Sequence, residues 1–279
     1  MSYKLCVRGE KKLRVGIIGC GTIGSEIALA CQERFSKKIE LIGICDADND
    51  KAESLKKRLR AGPKVLRQER LIKDSDLVVE TASAKISAEI VKHCLKEKKD
   101  VLVMSVGGLL GKTGLISSMA CAKSKVYLPS GAICGIDGLK AASMGRIDSV
   151  KITTRKPPKS FEGAPYVAKN RIDLKNIKQE TTLFEGTAKE AVHAFPQNIN
   201  VASTLSLAGA GADKVRVKIV TSPDYSKNVH EVEIEGDFGR IFTRTENLPS
   251  KANPKTSYLA SLSAIAALEG IVSNFRVGT

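Results

Sequence analysis

A glycine-rich turn between an apolar strand and a helix limits most strongly what this chain can fold into. Residues 13–19, LRVGIIG, are mostly β-branched or apolar and end in glycine, which is typical of a buried parallel strand. Residues 19–24, GCGTIG, match the spacing G-x-G-x-x-G. Apolar residues at helical spacing then predict a helix over residues 22–35. The sequence therefore predicts a strand, a tight turn and a helix in direct succession.

This turn has the features of a dinucleotide-binding site. Gly19 would make the tight turn, Gly21 would let the backbone approach a pyrophosphate, and Gly24 would let the helix pack closely on the strand. The free N–H groups of a helix N-terminus also favour an anion. Asp46 ends the next strand, close to the offset at which a carboxylate accepts hydrogen bonds from the adenosine ribose, and this favours NAD. The alternative is a tight turn without a ligand, and the strand, the helix and the acid together favour the cofactor.

Strands and helices alternate through the first half of the chain. The further predicted strands cover residues 39–45, 77–80, 100–103 and 126–128, with a weak one near Val65, and the further helices cover residues 51–60, 85–97 and 111–122. Such alternation specifies a parallel sheet covered by helices on both faces. The fold class is therefore α/β, with an N-terminal Rossmann dinucleotide-binding domain.

The second half has a different texture. Residues 151–154, 215–220, 229–235 and 241–245 alternate apolar and polar side chains, which is typical of a sheet with one solvated face. Residues 236–239 read as a hairpin turn, residues 250–254 as a linker, and residues 257–272 as a helix that returns to the first domain. The predicted domains are 1–132 with 250–279, and an α+β catalytic and dimerisation domain with an open mixed or antiparallel sheet at 133–249.

Composition agrees with an ordinary globular protein of 279 residues. Aromatic residues make up 4% and Trp is absent, so we expect an aliphatic core. The net charge of +15 raises nucleic acid and membranes as partners, but no nucleic-acid-binding motif accompanies the dispersed Lys and Arg. We therefore expect neither partner. A non-catalytic dinucleotide-binding protein that contacts nucleic acid is the less favoured alternative.

The seven cysteines form an odd set without a C-x-x-C pair, which argues against a disulfide framework and a structural zinc site. A reducing compartment and no metal are expected. The N-terminus is polar and basic without an apolar signal region, so we predict a cytoplasmic protein.

Three histidines are candidates for proton transfer. His93 and His193 fall on predicted helices, and His93 is most simply a surface residue. His230 lies in a predicted strand, where alternation places it on the apolar side with Val232 and Ile234. It is either a satisfied core residue or an acid/base group aimed at a substrate, and the pattern alone leaves both open.

Cys134 carries a rival hypothesis. It lies in residues 130–135, SGAICG, just before a predicted helix whose N-terminus would lower the pKa of a thiol. As a nucleophile it would make the chain a semialdehyde dehydrogenase. The favoured interpretation is one small apolar residue among seven cysteines.

Five segments together resemble the L-aspartate dehydrogenase family, over nearly the whole chain from about residue 13. They are VGIIGCGTIG at 15–24, PSGAICGIDGL at 129–139, FPQNINVASTLSLAG at 195–209, NVHEVEIEGDFGR at 228–240, and ENLPSKANPKTSYLASLSAIAAL at 246–268. The resemblance implies that His230 is the catalytic acid/base. It implies cofactor contacts at Asn200 and at Cys134, where alanine is usual. The full predicted cofactor-binding set is Gly19, Gly21, Thr22, Ile23, Gly24, Asp46, Ala82, Cys134 and Asn200.

The resemblance also implies an activity. L-Aspartate would lose a hydride from Cα to NAD or NADP, and the iminoaspartate formed would give oxaloacetate and ammonia, with amination as the reverse. Some relatives supply iminoaspartate to NAD biosynthesis instead. Two subunits would pair through the open sheet of the second domain. The residues that bind the substrate carboxylates are not identifiable from the sequence.

Overall fold

The structure, a computed structural model, describes residues 11–60, 62–250 and 253–278. These residues form two compact units. The first comprises residues up to 105, 114–129 and 261–277, and the second comprises 106–113 and 130–260. The proposed functional domains, 1–132 with 250–279 and 133–249, stay a prediction.

The first unit contains a six-stranded, fully parallel sheet with the strand order β3-β2-β1-β4-β5-β6. Its strands are β1 Leu13–Ile18, β2 Ile39–Cys45, β3 Lys64–Val65, β4 Leu77–Glu80, β5 Asp100–Val103 and β6 Val126–Tyr127. Its helices are α1 Thr22–Glu33, α2 Asn49–Arg58, α3 Gln68–Asp74, α4 Ser87–Lys96, α5 Thr113–Cys121 and, from residue 261 on, α10 Tyr258–Ile271. This strand order is that of a doubly wound dinucleotide-binding sheet.

Local sequence explains how these elements begin and pack. The buried side chains of β1 are aliphatic, and so are those of β4 apart from Glu80, as expected for strands covered on both faces. Asp48 caps α2, because its carboxylate accepts hydrogen bonds from the backbone N–H groups of Asp50 and Lys51. Helix α3 was not predicted, since its seven residues bury only Leu71 and Ile72 and show too little periodicity.

The second unit contains a mixed five-stranded sheet with the order β11-β10-β7-β9-β8, in which only β7 and β9 pair in parallel. The strands of this sheet are β7 Ile147–Lys156, β8 Thr181–Thr187, β9 Val215–Thr221, β10 Asn228–Gly236 and β11 Gly239–Asn247. A separate two-stranded sheet consists of β12 Pro249–Ser250 and β13 Asn253–Ser257. Its helices are α6 Ile136–Ala142, α7 Pro165–Lys169, α8 Ala188–Ala194 and α9 Asn200–Leu205, with short 3-10 turns at Val106–Gly108, Pro158–Phe161 and Leu174–Asn176. The predicted fold class is confirmed.

The core of the second unit corrects the expectation of a purely aliphatic interior. Phe161, Tyr166, Phe184 and Phe195 form one aromatic cluster with ring centroids 5.4–5.8 Å apart. Most of these pairs meet edge to face, the arrangement that the ring quadrupole favours. Although the chain has few aromatic residues, four of them pack together in the core of this unit, so its interior is not purely aliphatic.

The predicted linker at residues 250–254 is also wrong in part. Strands β12 and β13 pair as an antiparallel ladder across this segment, and residues 251–252 lie outside the described residues, as do residues 1–10 of the N-terminal extension. In the first unit, α10 is held by Glu269, which pairs with Arg34, and by the carbonyl of Val272, which accepts from Lys38. None of the helices in the described part of the chain has the length and apolar character that crossing a membrane requires.

Candidate functional site

The glycine turn after β1 has the geometry that its spacing predicts. Gly19 has φ +103°, and a Cβ there would lie 2.6 Å from the carbonyl group of Thr81. At Gly24 a Cβ would lie 1.9 Å from the carbonyl oxygen of Gly19. By contrast, a Cβ at Gly21 would meet no atom within 4 Å. Two glycines are therefore required by packing, and Gly21 leaves a clear approach to the backbone.

The same turn presents backbone donors and a carboxylate. Helix α1 begins at Thr22 without a side-chain cap on Gly21 and without an acidic residue in its first turn. Within the described chain, α1 therefore places no acidic side chain of its own first turn at its N-terminal dipole. Asp46 follows β2, and its Oδ2 accepts from the backbone N–H of Cys20 at 2.7 Å while its Oδ1 accepts from Asp48 at 2.9 Å. These bonds fix the carboxylate beside the glycine turn.

A buried carboxylate, Glu80, orders the neighbouring loops. It is 0% exposed, and it accepts from the backbone N–H groups of Ala82 at 2.8 Å and Ser105 at 3.0 Å. Burial raises its pKa, and these hydrogen bonds oppose the rise. Thr81 donates through Oγ1 to Gly19 at 2.8 Å. The loops that follow β1, β4 and β5 are thus tied together, with Ala82 exposed at their surface.

These residues fit a dinucleotide. An open glycine, an uncapped helix N-terminus and a fixed carboxylate are the groups that pyrophosphate and ribose hydroxyls require. The structure brings Gly19, Gly21, Thr22, Ile23, Gly24, Asp46 and Ala82 to the carboxyl ends of β1, β2 and β4.

In the second unit, His230 is 3% exposed and lies on the inner face of β10 with Val232 and Ile234. The pairing of β10 with β7 places it opposite Thr154, and its Nδ1 lies 3.0 Å from Thr154 Oγ1. Burial first, and the charge of Lys156 second, lower the pKa of His230 to about 3. The imidazole is therefore neutral at physiological pH, and Thr154 orients its ring.

Lys156 ends β7 on the same inner face, two residues after Thr154. It is 7% exposed, and its ammonium donates to Asn198 Oδ1 at 3.0 Å. Asn198 Nδ2 in turn lies 3.5 Å from the carbonyl oxygen of Ser160. Burial lowers the pKa of Lys156 to about 8. A cation and a neutral imidazole therefore share one buried polar cluster.

The loop that carries Cys134 is fastened to the end strand β11. Thr245 and Asn247 donate to the carbonyl oxygen of Ala132 at 2.9 and 3.0 Å, and Thr243 donates to that of Cys134 at 3.3 Å. The side chain of Cys134 is exposed just before α6. Among the described residues, which include all three histidines, no hydrogen bond joins this thiol to an imidazole.

Asn200 begins α9, and its Oδ1 accepts from the backbone N–H of Gly107 at 2.9 Å. A Cβ on Gly107 would come within 3.1 Å of that oxygen, so the two residues are closely packed. Asn200 therefore orders the turn Val106–Gly108, and no hydrogen bond joins it to Cys134 or His230 in the described chain.

Sequence reasoning missed Glu80, Thr154, Lys156 and Asn198. The predicted strand stopped at residue 154, whereas β7 continues to Lys156. Extending the alternation of Val150 and Ile152 by two steps would have placed Thr154 and Lys156 on the inner face. The contacts with His230 and Asn198 carry no local signal, because they join segments 76 and 42 residues apart.

Comparisons with known sequences cover both halves of the chain. A profile described as "Aspartate dehydrogenase, C-terminal" matches residues 137–271, and one described as "Homoserine dehydrogenase, NAD binding domain" matches residues 19–129. The L-aspartate dehydrogenase of Methanococcoides burtonii is 48% identical over 271 residues, which cover 96% of this chain and 100% of that one. The L-aspartate dehydrogenase of Bradyrhizobium diazoefficiens is 40% identical, with 97% and 95% covered.

Solved structures agree with the sequences. The crystal structure of aspartate dehydrogenase from Thermotoga maritima matches with a TM-score of 0.76 at 29% identity, over 96% of this chain and 100% of that one. A homoserine dehydrogenase from Thiobacillus denitrificans shares the fold alone, with a TM-score of 0.62 at 14% identity over 94% of this chain and 73% of that one.

The resemblance inferred from the sequence is thereby confirmed, as are the oxidoreductase class and the nicotinamide dinucleotide cofactor. Relatives 40–48% identical match this chain along almost its entire length. The chain belongs to the L-aspartate dehydrogenase family.

Proposed function

We propose that this protein oxidises L-aspartate with NAD or NADP to iminoaspartate, which water converts to oxaloacetate and ammonia, and that it also runs the reverse amination. The observation that carries the proposal is the buried cluster of the second unit, where neutral His230 is oriented by Thr154 beside the cation Lys156. A neutral imidazole can accept a proton, and a buried cation can attract an anionic substrate.

His230 is the proposed acid/base group. In the tautomer that this proposal uses, Nδ1–H donates to Thr154 Oγ1, so the lone pair is on Nε2 and this nitrogen can accept a proton. It would take the proton released as the amine becomes an imine, and would then assist addition of water and return a proton to the departing ammonia. When bound, the cofactor supplies the hydride chemistry. The chain itself supplies the base and holds the substrate.

The proposed cofactor contacts are those predicted from the sequence. The backbone N–H groups at Thr22 and Ile23 would meet the pyrophosphate at Gly21, and Asp46 would accept from the ribose hydroxyls. A carboxylate at this position disfavours a 2′-phosphate, so NAD is the preferred form. Ala82, Cys134 and Asn200 are proposed as further contacts, the first two through backbone atoms.

The glycine turn yields the first prediction. Gly21→Ala should fold normally, because a Cβ there meets no atom within 4 Å and the residue has an ordinary φ of −72°. The methyl group would instead occupy the approach to the pyrophosphate. We expect the Kd for NADH, measured by fluorescence titration, to rise at least about tenfold, which corresponds to about 1.4 kcal/mol.

Gly24→Ala is the matched comparison, since the same methyl group would lie 1.9 Å from a backbone carbonyl oxygen. It should lower the melting temperature, whereas Gly21→Ala should not. Unchanged NADH affinity in a folded Gly21→Ala protein would argue against cofactor binding at this turn.

The activity itself is tested by following the nicotinamide at 340 nm with NAD or NADP and a panel of L-aspartate, D-aspartate, L-glutamate, L-homoserine and aspartate semialdehyde. Turnover should be confined to L-aspartate, and Cys134→Ala should retain it. Phosphate-dependent turnover of the semialdehyde that Cys134→Ala abolishes would replace the proposal with a thiol mechanism.

Three further properties belong to this proposal. The outer face of the second sheet leaves Phe242 exposed next to charged side chains, and it is the proposed surface for pairing two subunits. Light scattering would reveal the dimer.

A cytoplasmic location agrees with six free cysteines among the described residues. Iminoaspartate released before hydrolysis would be available for NAD biosynthesis.

A further inference from the structure

Lys156 is a buried cation without an acidic partner in the described chain. Its side chain makes one hydrogen bond there, to the neutral amide of Asn198 at 3.0 Å. The ammonium has three donors, so two of them lack a protein acceptor in this arrangement. Buried lysines are rare unless they are paired, because removing an ammonium from water is costly. Lys156 therefore has the properties of a group whose anionic partner comes from outside the chain.

The neighbours of Lys156 favour an anion over any other ligand. Asn198 directs its oxygen at the ammonium and its Nδ2 at Ser160, so it orients Lys156 without neutralising it. His230 lies on β10, the strand that pairs with β7, and the charge of Lys156 contributes to lowering its pKa. The cation and the proposed base therefore belong to one cluster on the inner side of the sheet.

We propose that Lys156 binds a carboxylate group of the substrate and so selects dicarboxylates. This inference rests on the proposed function, which requires a substrate with two carboxylates beside its amine. A carboxylate would accept the two remaining ammonium hydrogens and complete a charge-assisted pair in a site shielded from water. Lys156 thus fills a role for which the sequence offered no candidate.

Substrate binding would also change His230. The Lys156 charge disfavours the imidazolium, although burial disfavours it more strongly. A bound carboxylate would offset that charge, so protonation of His230 would become easier only when substrate is present. His230 would therefore become a stronger base when the substrate is bound.

The test is binding of succinate, which carries both carboxylates but no amine and cannot be oxidised at an amine-bearing carbon. Isothermal titration calorimetry of Lys156→Met should show the succinate Kd raised about 10- to 100-fold relative to the wild type. The matched control is Lys169→Met, which removes the same charge from an exposed position at the end of helix α7. Its Kd should stay within about threefold of the wild type, because surface charges contribute little.

A second variant keeps the lysine in place. Asn198→Asp would give Lys156 an internal carboxylate, and it should weaken succinate binding to a similar extent. The inference is overturned if folded Lys156→Met binds succinate as the wild type does, or if the wild type does not bind succinate. Lys156-dependent succinate binding without L-aspartate turnover would refute the proposed function and leave the subsite standing. L-Aspartate turnover by Lys156→Met with an unchanged KM would refute the carboxylate subsite and leave the proposed function standing.

Discussion

Replacing His230 by asparagine should lower kcat for L-aspartate oxidation roughly 100- to 10,000-fold, the range associated with loss of a general base. The asparagine amide can keep a hydrogen bond to Thr154 Oγ1 in place of imidazole Nδ1, which lies 3.0 Å from that oxygen. It cannot place a basic nitrogen at the position of Nε2. Because the native imidazole is neutral, the substitution changes no charge. Steady-state kinetics at 340 nm, with circular dichroism to verify folding, measure the effect.

Two variants separate chemistry from structure. His193→Asn makes the same exchange on the exposed side of helix α8 and should leave kcat unchanged. Thr154→Val keeps the β-branched shape in the strand but removes the oxygen that orients the ring, and kcat should fall about tenfold, a loss of about 1.4 kcal/mol in transition-state stabilisation. A folded His230→Asn enzyme with kcat within threefold of the wild type would contradict the assignment of His230 as the base.

The pH profile offers an independent view of His230. Its pKa of about 3 in the free protein means that the base form is already complete well below neutrality. Since kcat/KM reports ionisations of the free enzyme, it should show no acid limb from this residue between pH 5 and 7. An acid limb near pH 6.5 that disappears in His230→Asn would show that the imidazole is more solvated than its position on β10 implies.

Much of the first unit could be predicted because its signals are local. The apolar run of β1, the glycine spacing and Asp46 lie within 34 residues, and parallel strands buried on both faces read as continuous apolar segments. Elements whose sequence has only a weak hydrophobic periodicity were missed, because they lack such a local signal. The seven residues of α3 and the strand β8 carry few apolar positions, and tertiary packing rather than propensity defines them.

The sequence predicted only part of the candidate site in the second unit. Alternation identified the inward face of β10 and therefore His230, but it could not decide between a core residue and a base. That decision needs the pairing with β7, which brings Thr154 opposite His230 and places Lys156 on the same face. Strand pairing over 76 residues depends on the whole sheet, and no local pattern contains it.

A buried lysine has a cost in stability that gives the last prediction. The pKa of Lys156 falls from 10.5 to about 8, which corresponds to roughly 3 kcal/mol against the charged native state at neutral pH. Lys156→Met removes that cost and keeps the side-chain length, while loss of the bond to Asn198 offsets part of the gain. We expect Lys156→Met to be about 1–2 kcal/mol more stable than the wild type at pH 7, with a melting temperature several degrees higher.

The pH dependence identifies the cause of this gain. Below pH 8 the lysine is charged in both the folded and unfolded states, so the cost is constant. Between pH 8 and 10.5 the folded protein releases the proton while the unfolded chain retains it, and wild-type stability rises relative to that of the variant. The advantage of Lys156→Met should therefore shrink between pH 7 and 9.5, whereas the exposed Lys169→Met should show no such trend. A less stable Lys156→Met protein at pH 7 would mean that Lys156 is a structural residue, and a more stable but weakly active one would mean that its charge is retained for the substrate.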